Sequence, residues 1–196
     1  MTEPATDHRR AIAERNVEAI LDAAERLLQR HAQATIAGVA SEAGVSRVTV
    51  YAHFPTREQL LEAVVERAVR RAAHAIDAIQ PRNGPPLDAL ARLIATGWHQ
   101  LDHNRAMAQA AAEQLSPAAV TRAHEGVLRR IRDLVQRGRD TGDFRTDLPT
   151  DWLVTSTLSL MHACGDEVRA GRIEPDHALE LLTTTIRDLL VGPCGT

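Results

Sequence analysis

Lysine is absent from the 196 residues, and all 23 basic side chains are arginine. The planar guanidinium fork suits phosphates and carboxylates, but arginine-only usage also follows from codon bias, so this absence selects no partner by itself. Aromatic residues are scarce as well, at 3% of the chain. Strands draw on aromatic and β-branched residues, whereas this chain is rich in Ala, Leu, Arg and Glu, so the composition points to an all-α protein. Two cysteines, Cys164 and Cys194, are too few for a disulfide framework. No charged-then-apolar leader opens the chain, and a cytoplasmic location is expected. The longest apolar stretch, Leu153 to Cys164, has 12 residues and is interrupted by Thr155, Ser156, Thr157, Ser159 and His162, so no membrane role is expected. A basic excess is also lacking. Net charge is −3, and residues 1–60 hold seven Arg against eight acidic residues, so no global field draws nucleic acid or an anionic membrane. What is present, 44% apolar and 25% charged residues, is the composition of a folded globular protein of one or two small domains.

Met1 to Ala13 is polar and without periodicity, and reads as a flexible arm in which Arg9 and Arg10 are either solvated or reach phosphate. From Glu14 the apolar residues Val17, Ile20, Leu21, Ala24, Leu27 and Leu28 recur at helical spacing, predicting a helix that ends near His31. Thr35 can cap a short helix over 36–43, Gly44 suits a left-handed stop, and a second short helix is expected from Arg47 to Phe54. Pro55 ends it. Thr56-Arg57-Glu58-Gln59 matches a capping box, opening a long helix whose Leu60, Leu61, Val64, Ala68, Ala72, Ile76 and Ile79 share one face. The run Pro81 to Pro86 is the clearest break. Beyond it, helices are expected at about 86–103, 105–115, 117–138, 150–170 and 175–191, with Ser116-Pro117 as a cap. The resulting division is an arm (1–13), a helix-turn-helix domain (14–56), a connecting helix (57–80) and a larger helical domain (81–196).

The segment Ile36 to Phe54 supplies what a helix-turn-helix needs, in order. Ile36, Val39, Ala40, Val45, Val50 and Phe54 can close a small core, and Gly44 permits the tight turn. Arg47, Val48, Thr49, Ala52 and His53, with Tyr51 at the edge, then remain for a surface and are sized for a major groove.

The stretch Thr35 to Leu61, TIAGVASEAGVSRVTVYAHFPTREQLL, closely resembles the DNA-binding segment of TetR/AcrR-type transcriptional regulators. The resemblance implies an all-helical homodimer that represses transcription by binding an inverted-repeat operator in double-stranded DNA and releases it when a small molecule enters the larger domain. Carried over by position, Thr35 caps the second helix and can meet a phosphate, while Thr49, Tyr51 and His53 match groove and backbone contacts. Arg57 stands where a basic residue meets phosphate, and Ser46, Arg47 and Val48 complete the DNA-contact set. Val48 departs from the small residue usual there. It either meets a thymine methyl or crowds the groove, and Arg47 can reach a guanine edge.

One short reading helix offers little contact, so two-fold pairing is expected. The apolar stripes of the last two helices, Leu153, Thr157, Leu160, Met161, Cys164 and Val168, then Ala178, Leu181, Leu182, Thr185, Leu189 and Leu190, serve either as that homodimer surface or as intramolecular core. Trp98, Leu101, His103, Met107, Trp152 and His162, bulky or polar groups within apolar segments, are the candidates for lining a pocket for an unknown effector, with His99 nearby. His99 and His103 lie four apart, but no Glu or Cys completes a metal site, and no cofactor is expected. No lowered thiol pKa is expected for Cys164. The absence of a phosphate loop, a nucleophile elbow or a Cys-His dyad argues against an enzyme. The alternatives are a DNA-binding dimer without a ligand and a catalyst that carries no recognisable motif.

Overall fold

The computed structural model describes residues 4–30 and 34–192. Cys194 and the expected end of the first helix at His31 lie outside them. Among the described residues the chain is helical throughout, without strands, in the order α1 (Pro4–Gln29), α2 (Ile36–Ala43), α3 (Arg47–His53), α4 (Arg57–Ala78), α5 (Pro86–His103), α6 (Arg105–Gln114), α7 (Pro117–Asp140), α8 (Thr150–Arg169) and α9 (Pro175–Val191). Two compact units result, residues 1–67 with 106–122, and residues 68–105 with 123–196. The division falls inside α4 and α7, and it groups α6 and the start of α7 with the N-terminal helices.

In the N-terminal unit the caps form where the residue types place them. The Thr56 hydroxyl accepts the N–H of Gln59 at 3.1 Å, and the Ser116 hydroxyl accepts that of Ala119 at 3.2 Å. Ile20, Leu21, Ala24 and Leu28 of α1, Val39 and Ala40 of α2, Val50 of α3 and Leu60, Leu61 and Val64 of α4 are all buried. α1 starts at Pro4, ahead of its apolar stripe. Its first turns carry no periodic apolar face in the sequence, and further along Arg10 Nε pairs with Glu14 at 3.0 Å.

The C-terminal unit closes around one apolar core. It is built from Leu93, Ile94 and Trp98 of α5, Ile131, Leu134 and Val135 of α7, Leu153, Val154 and Met161 of α8, and Leu182, Ile186 and Leu190 of α9. α8 and α9 pack on each other, and both pack on α5. Most of the α8–α9 stripe residues therefore face inward, whereas Leu181 and Thr185 are exposed and Leu160 and Leu189 half-buried. Leu153, Thr157, Met161, Cys164, Val168, Ala178, Leu182 and Leu190 are buried within the chain, because α5 and α7 cover them. What α8 and α9 leave in solvent is a neighbouring face with Trp152, Thr155, Ser159, Leu181 and Thr185. Among the described residues no helix is long and apolar enough to cross a membrane.

Candidate nucleic-acid interface

The turn between α2 and α3 is made by Gly44, whose φ of 68° is open to glycine without strain. The N–H of Val45 reaches back to the carbonyl of Ala40 at 3.0 Å, which closes α2 and fixes where α3 begins. At the head of α2 the Thr35 hydroxyl accepts the N–H of Gly38 at 3.1 Å, and Thr35 stays exposed.

α3 starts at a second cap. Ser46 has extended backbone (φ −74°, ψ 154°), and its hydroxyl accepts the N–H of Thr49 at 3.0 Å while lying 2.8 Å from the Thr49 hydroxyl. Val50 and Phe54 turn into the core, and Thr49 and His53 sit half-buried at its edge. The face turned to solvent consists of Arg47, Val48, Tyr51 and Ala52, with Val48 78% exposed and Tyr51 52% exposed. These four residues lie three or four apart or side by side, which makes one contiguous patch on a helix. Neither the Arg47 guanidinium nor the Tyr51 hydroxyl has a hydrogen-bond partner among the described residues.

Arg57 is placed differently from its neighbours on the candidate list. Its Nε donates to the carbonyl of Ala34 at 3.0 Å and its Nη1 to Gln114. The guanidinium thus ties the head of α4 to the entry of α2 and to the end of α6. Two further braces were not read from the sequence. Arg26 Nε meets Glu42 at 2.9 Å and Arg30 meets it at 3.5 Å, joining α1 to α2, and the Arg26 hydrogen bond holds the Glu42 carboxyl below its usual range. Arg67 of α4 is buried against α1, with Nη1 2.9 Å from both Glu18 and Asp22 and Nη2 2.9 Å from Glu25. The i, i+4, i+7 spacing of the three carboxylates on α1 was the available signal.

Five of the six effector-pocket candidates lie in the C-terminal unit, where Trp98 and Leu101 share its core and the others are placed apart from it. Trp98 is core and Leu101 packs against Gly165, whereas His103 is exposed and Trp152 is 60% exposed. Met107 is buried, but in the N-terminal unit. His162 of α8 meets His124 of α7 edge-on, with ring centroids 5.2 Å apart. Burial, then the neighbouring His124, pushes the His162 imidazole down to about 4, and Asp166 opposes the shift. His99 is exposed, as is His103, and among the described residues no three His, Cys, Asp or Glu side chains converge as a metal site. Burial raises the Cys164 thiol, which faces the carbonyl of Ala178.

The same unit has an open cleft of about 880 Å³ between the end of α4 and α7. None of the six candidates lines it, and its charges are matched internally. Arg130 pairs with Asp77, Arg82 pairs with Asp133 at 2.9 Å, and Arg137 donates to the carbonyls of Pro81, Arg82 and Gly84.

Residues 20–64 match the model for bacterial regulatory proteins of the tetR family. The HTH-type transcriptional repressor LfrR of Mycolicibacterium smegmatis is 36% identical over 102 residues, so the match spans 52% of this chain and about half, 51%, of that relative. The HTH-type transcriptional regulator EthR of the same organism is 27% identical over 193 residues, covering 91% of this chain and 88% of EthR. Among solved structures, LfrR in complex with proflavine superposes with a TM-score of 0.64 at 22% identity, covering 91% of this chain and 98% of that one. FadR of Bacillus subtilis in complex with stearoyl-CoA gives 0.71 at 15% identity, covering 93% of this chain and 99% of that one.

Proposed function

We propose that the chain, whose residues 20–64 match the model for bacterial regulatory proteins of the tetR family, is a sequence-specific DNA-binding repressor, released from an inverted-repeat operator by a small-molecule effector. The observation that carries this reading is the solvent face of α3, where Arg47, Val48 and Tyr51 stand unpartnered on a short helix locked at both ends. A helix of this kind fits the major groove, with Arg47 positioned to donate two hydrogen bonds to a guanine edge. Thr35, Ser46, Thr49 and His53 flank the face and serve phosphate contacts and cap geometry. Arg57 joins the contact set through position, since its guanidinium holds α2 and α4 together.

With a net charge of −3, phosphate binding rests on these few groups, so affinity is modest at high salt. Specificity over a genome needs two reading helices, about 34–36 Å apart for successive half-sites, and hence a homodimer. The exposed face of α8 and α9, with Trp152 and Leu181 as its large apolar groups, is the surface that a second copy covers. LfrR holds proflavine and FadR holds stearoyl-CoA in their solved structures, which supports a small-molecule effector here. α4 contributes residues to both units, so an effector that displaces it shifts the population away from DNA-competent dimers.

The test is selection from a random duplex pool at low ionic strength, followed by mass measurement of the complex. An inverted repeat bound by an even number of chains, lost in Tyr51→Ala with dimer mass unchanged, is expected. No enrichment, or a protein that stays monomeric, contradicts the proposal. Small molecules that raise the melting temperature and also release the selected duplex identify the effector arm.

A further inference from the structure

The hydroxyls at the head of α3 are engaged locally: Ser46 accepts the Thr49 N–H at 3.0 Å, and the two side-chain oxygens lie 2.8 Å apart. The solvent face of α3 then offers one guanidinium, one phenol, the small methyl of Ala52 and, as its largest aliphatic group, the isopropyl group of Val48. A lone exposed valine elsewhere on a surface needs no reason. Val48, 78% exposed, is the most exposed of the large apolar residues and stands next to Arg47 and one turn before Tyr51 and Ala52. Its side chain has no donor or acceptor, so it can favour one base pair over another only through an apolar group. The major-groove edges of the four base pairs offer one such group, the C5-methyl of thymine, and methylated cytosine carries the same methyl. Valine also suits the task because its χ1 is nearly fixed in a helix, so little rotamer freedom is lost on contact.

We infer that Val48 is a methyl reader, which seats its isopropyl group against the C5-methyl of one pyrimidine in each operator half-site. The inference rests on the DNA-binding reading above and adds to it the identity of one base feature. It also makes the operator sensitive to the methylation state of a cytosine, should that base occupy the position.

The experiment starts from the duplex recovered by selection with the full chain. Each thymine is replaced in turn, in both half-sites, by deoxyuridine, which removes the methyl and leaves pairing intact. Each cytosine is replaced by 5-methylcytosine. Binding is measured for the natural chain and for Val48→Ala, a change on the solvent face that leaves Val50 and Phe54 in place. For thymine as the source, one deoxyuridine position weakens the natural chain about fourfold per half-site, about fifteenfold for two, as expected for one buried methyl. Val48→Ala binds the two duplexes equally. For methylcytosine as the source, one cytosine position gains by a similar factor on methylation, and Val48→Ala again abolishes the difference. The inference is overturned if no methyl changes affinity, or if the change persists in Val48→Ala. If no duplex is enriched at all, the DNA-binding reading fails first and takes this inference with it.

Discussion

The hydroxyl groups of Ser46 and Thr49 lie 2.8 Å apart, and the Thr49 N–H donates to Ser46 Oγ at 3.0 Å, so one small polar pair both starts α3 and aims its outer face. A helix of seven residues has little stability of its own. Removing the cap by Ser46→Ala is expected to lower stability by about 1 kcal/mol. It also weakens binding to the selected duplex more than its loss of stability accounts for, because the frayed first turn carries Arg47 and Val48. Urea unfolding together with a DNA titration checks both; unchanged DNA affinity would separate the cap from reading.

Arg67 is the brace between α1 and α4. With Arg67 and Glu25 each 7% exposed, Arg67→Met deprives a buried carboxylate of its guanidinium, and a loss of about 3 kcal/mol is expected. The double change Arg67→Met with Glu25→Leu recovers part of it, since both ends of the buried pair are then apolar. Chemical denaturation of the two variants decides the matter, and a single variant within about 0.5 kcal/mol of the parent would show that the brace contributes nothing beyond an ordinary surface site.

His162 gives a pH signature. The unfolded chain takes up this proton near the ordinary 6.5, the folded chain only at about 4, so between those values the unfolded state binds more protons. Stability from this group is fully present above about 6.5, is lost progressively as pH falls towards 4 and is flat below, a total of about 3 kcal/mol. The facing groups are His124, which adds to the shift, and Asp166, which opposes it. His162→Leu is expected to flatten this part of the stability curve, measured by denaturant unfolding across pH 4–7; an unaltered slope would place the titration elsewhere.

Two glycines of the C-terminal unit separate stiff from adaptable packing. A Cβ on Gly138 would run into the ring of Phe144, whereas one on Gly97 would meet the terminal methyl of Met161, at 2.6 Å. A buried phenyl ring has nowhere to turn, but a methionine side chain can take another rotamer. Gly138→Ala is expected to lose about 2 kcal/mol or more, and Gly97→Ala about 1 kcal/mol or less. Thermal melts of the two variants test the order, and equal losses would refute it.

Much of this architecture was legible in the residues. Thr35, Gly44, Pro55, Thr56 and Ser116 are local signals that act within one turn, and they set the bounds of α2, α3, α4 and α7 where the chain has them. The first turns of α1 were not legible, because they lack an apolar stripe. Face assignments across helices were harder. Trp98 and Trp152 both lie in apolar segments, yet one is core and the other 60% exposed, which depends on packing partners far away in sequence. The α8–α9 stripes read as either dimer surface or core; most of their side chains are core for the same reason, while Leu181 and Thr185 stay exposed. Arg57 has the chemistry of a phosphate ligand, and only the fold brings the Ala34 carbonyl within its reach.

The central claim is that the outer face of α3 reads duplex DNA. Fluorescence anisotropy with the selected inverted repeat, run at low ionic strength against a scrambled duplex of equal length, tests it most directly. The account predicts saturable binding that prefers the inverted repeat, weakens as salt is added and is lost in Tyr51→Ala. Equal affinity for the two duplexes, or full binding by Tyr51→Ala, would contradict it.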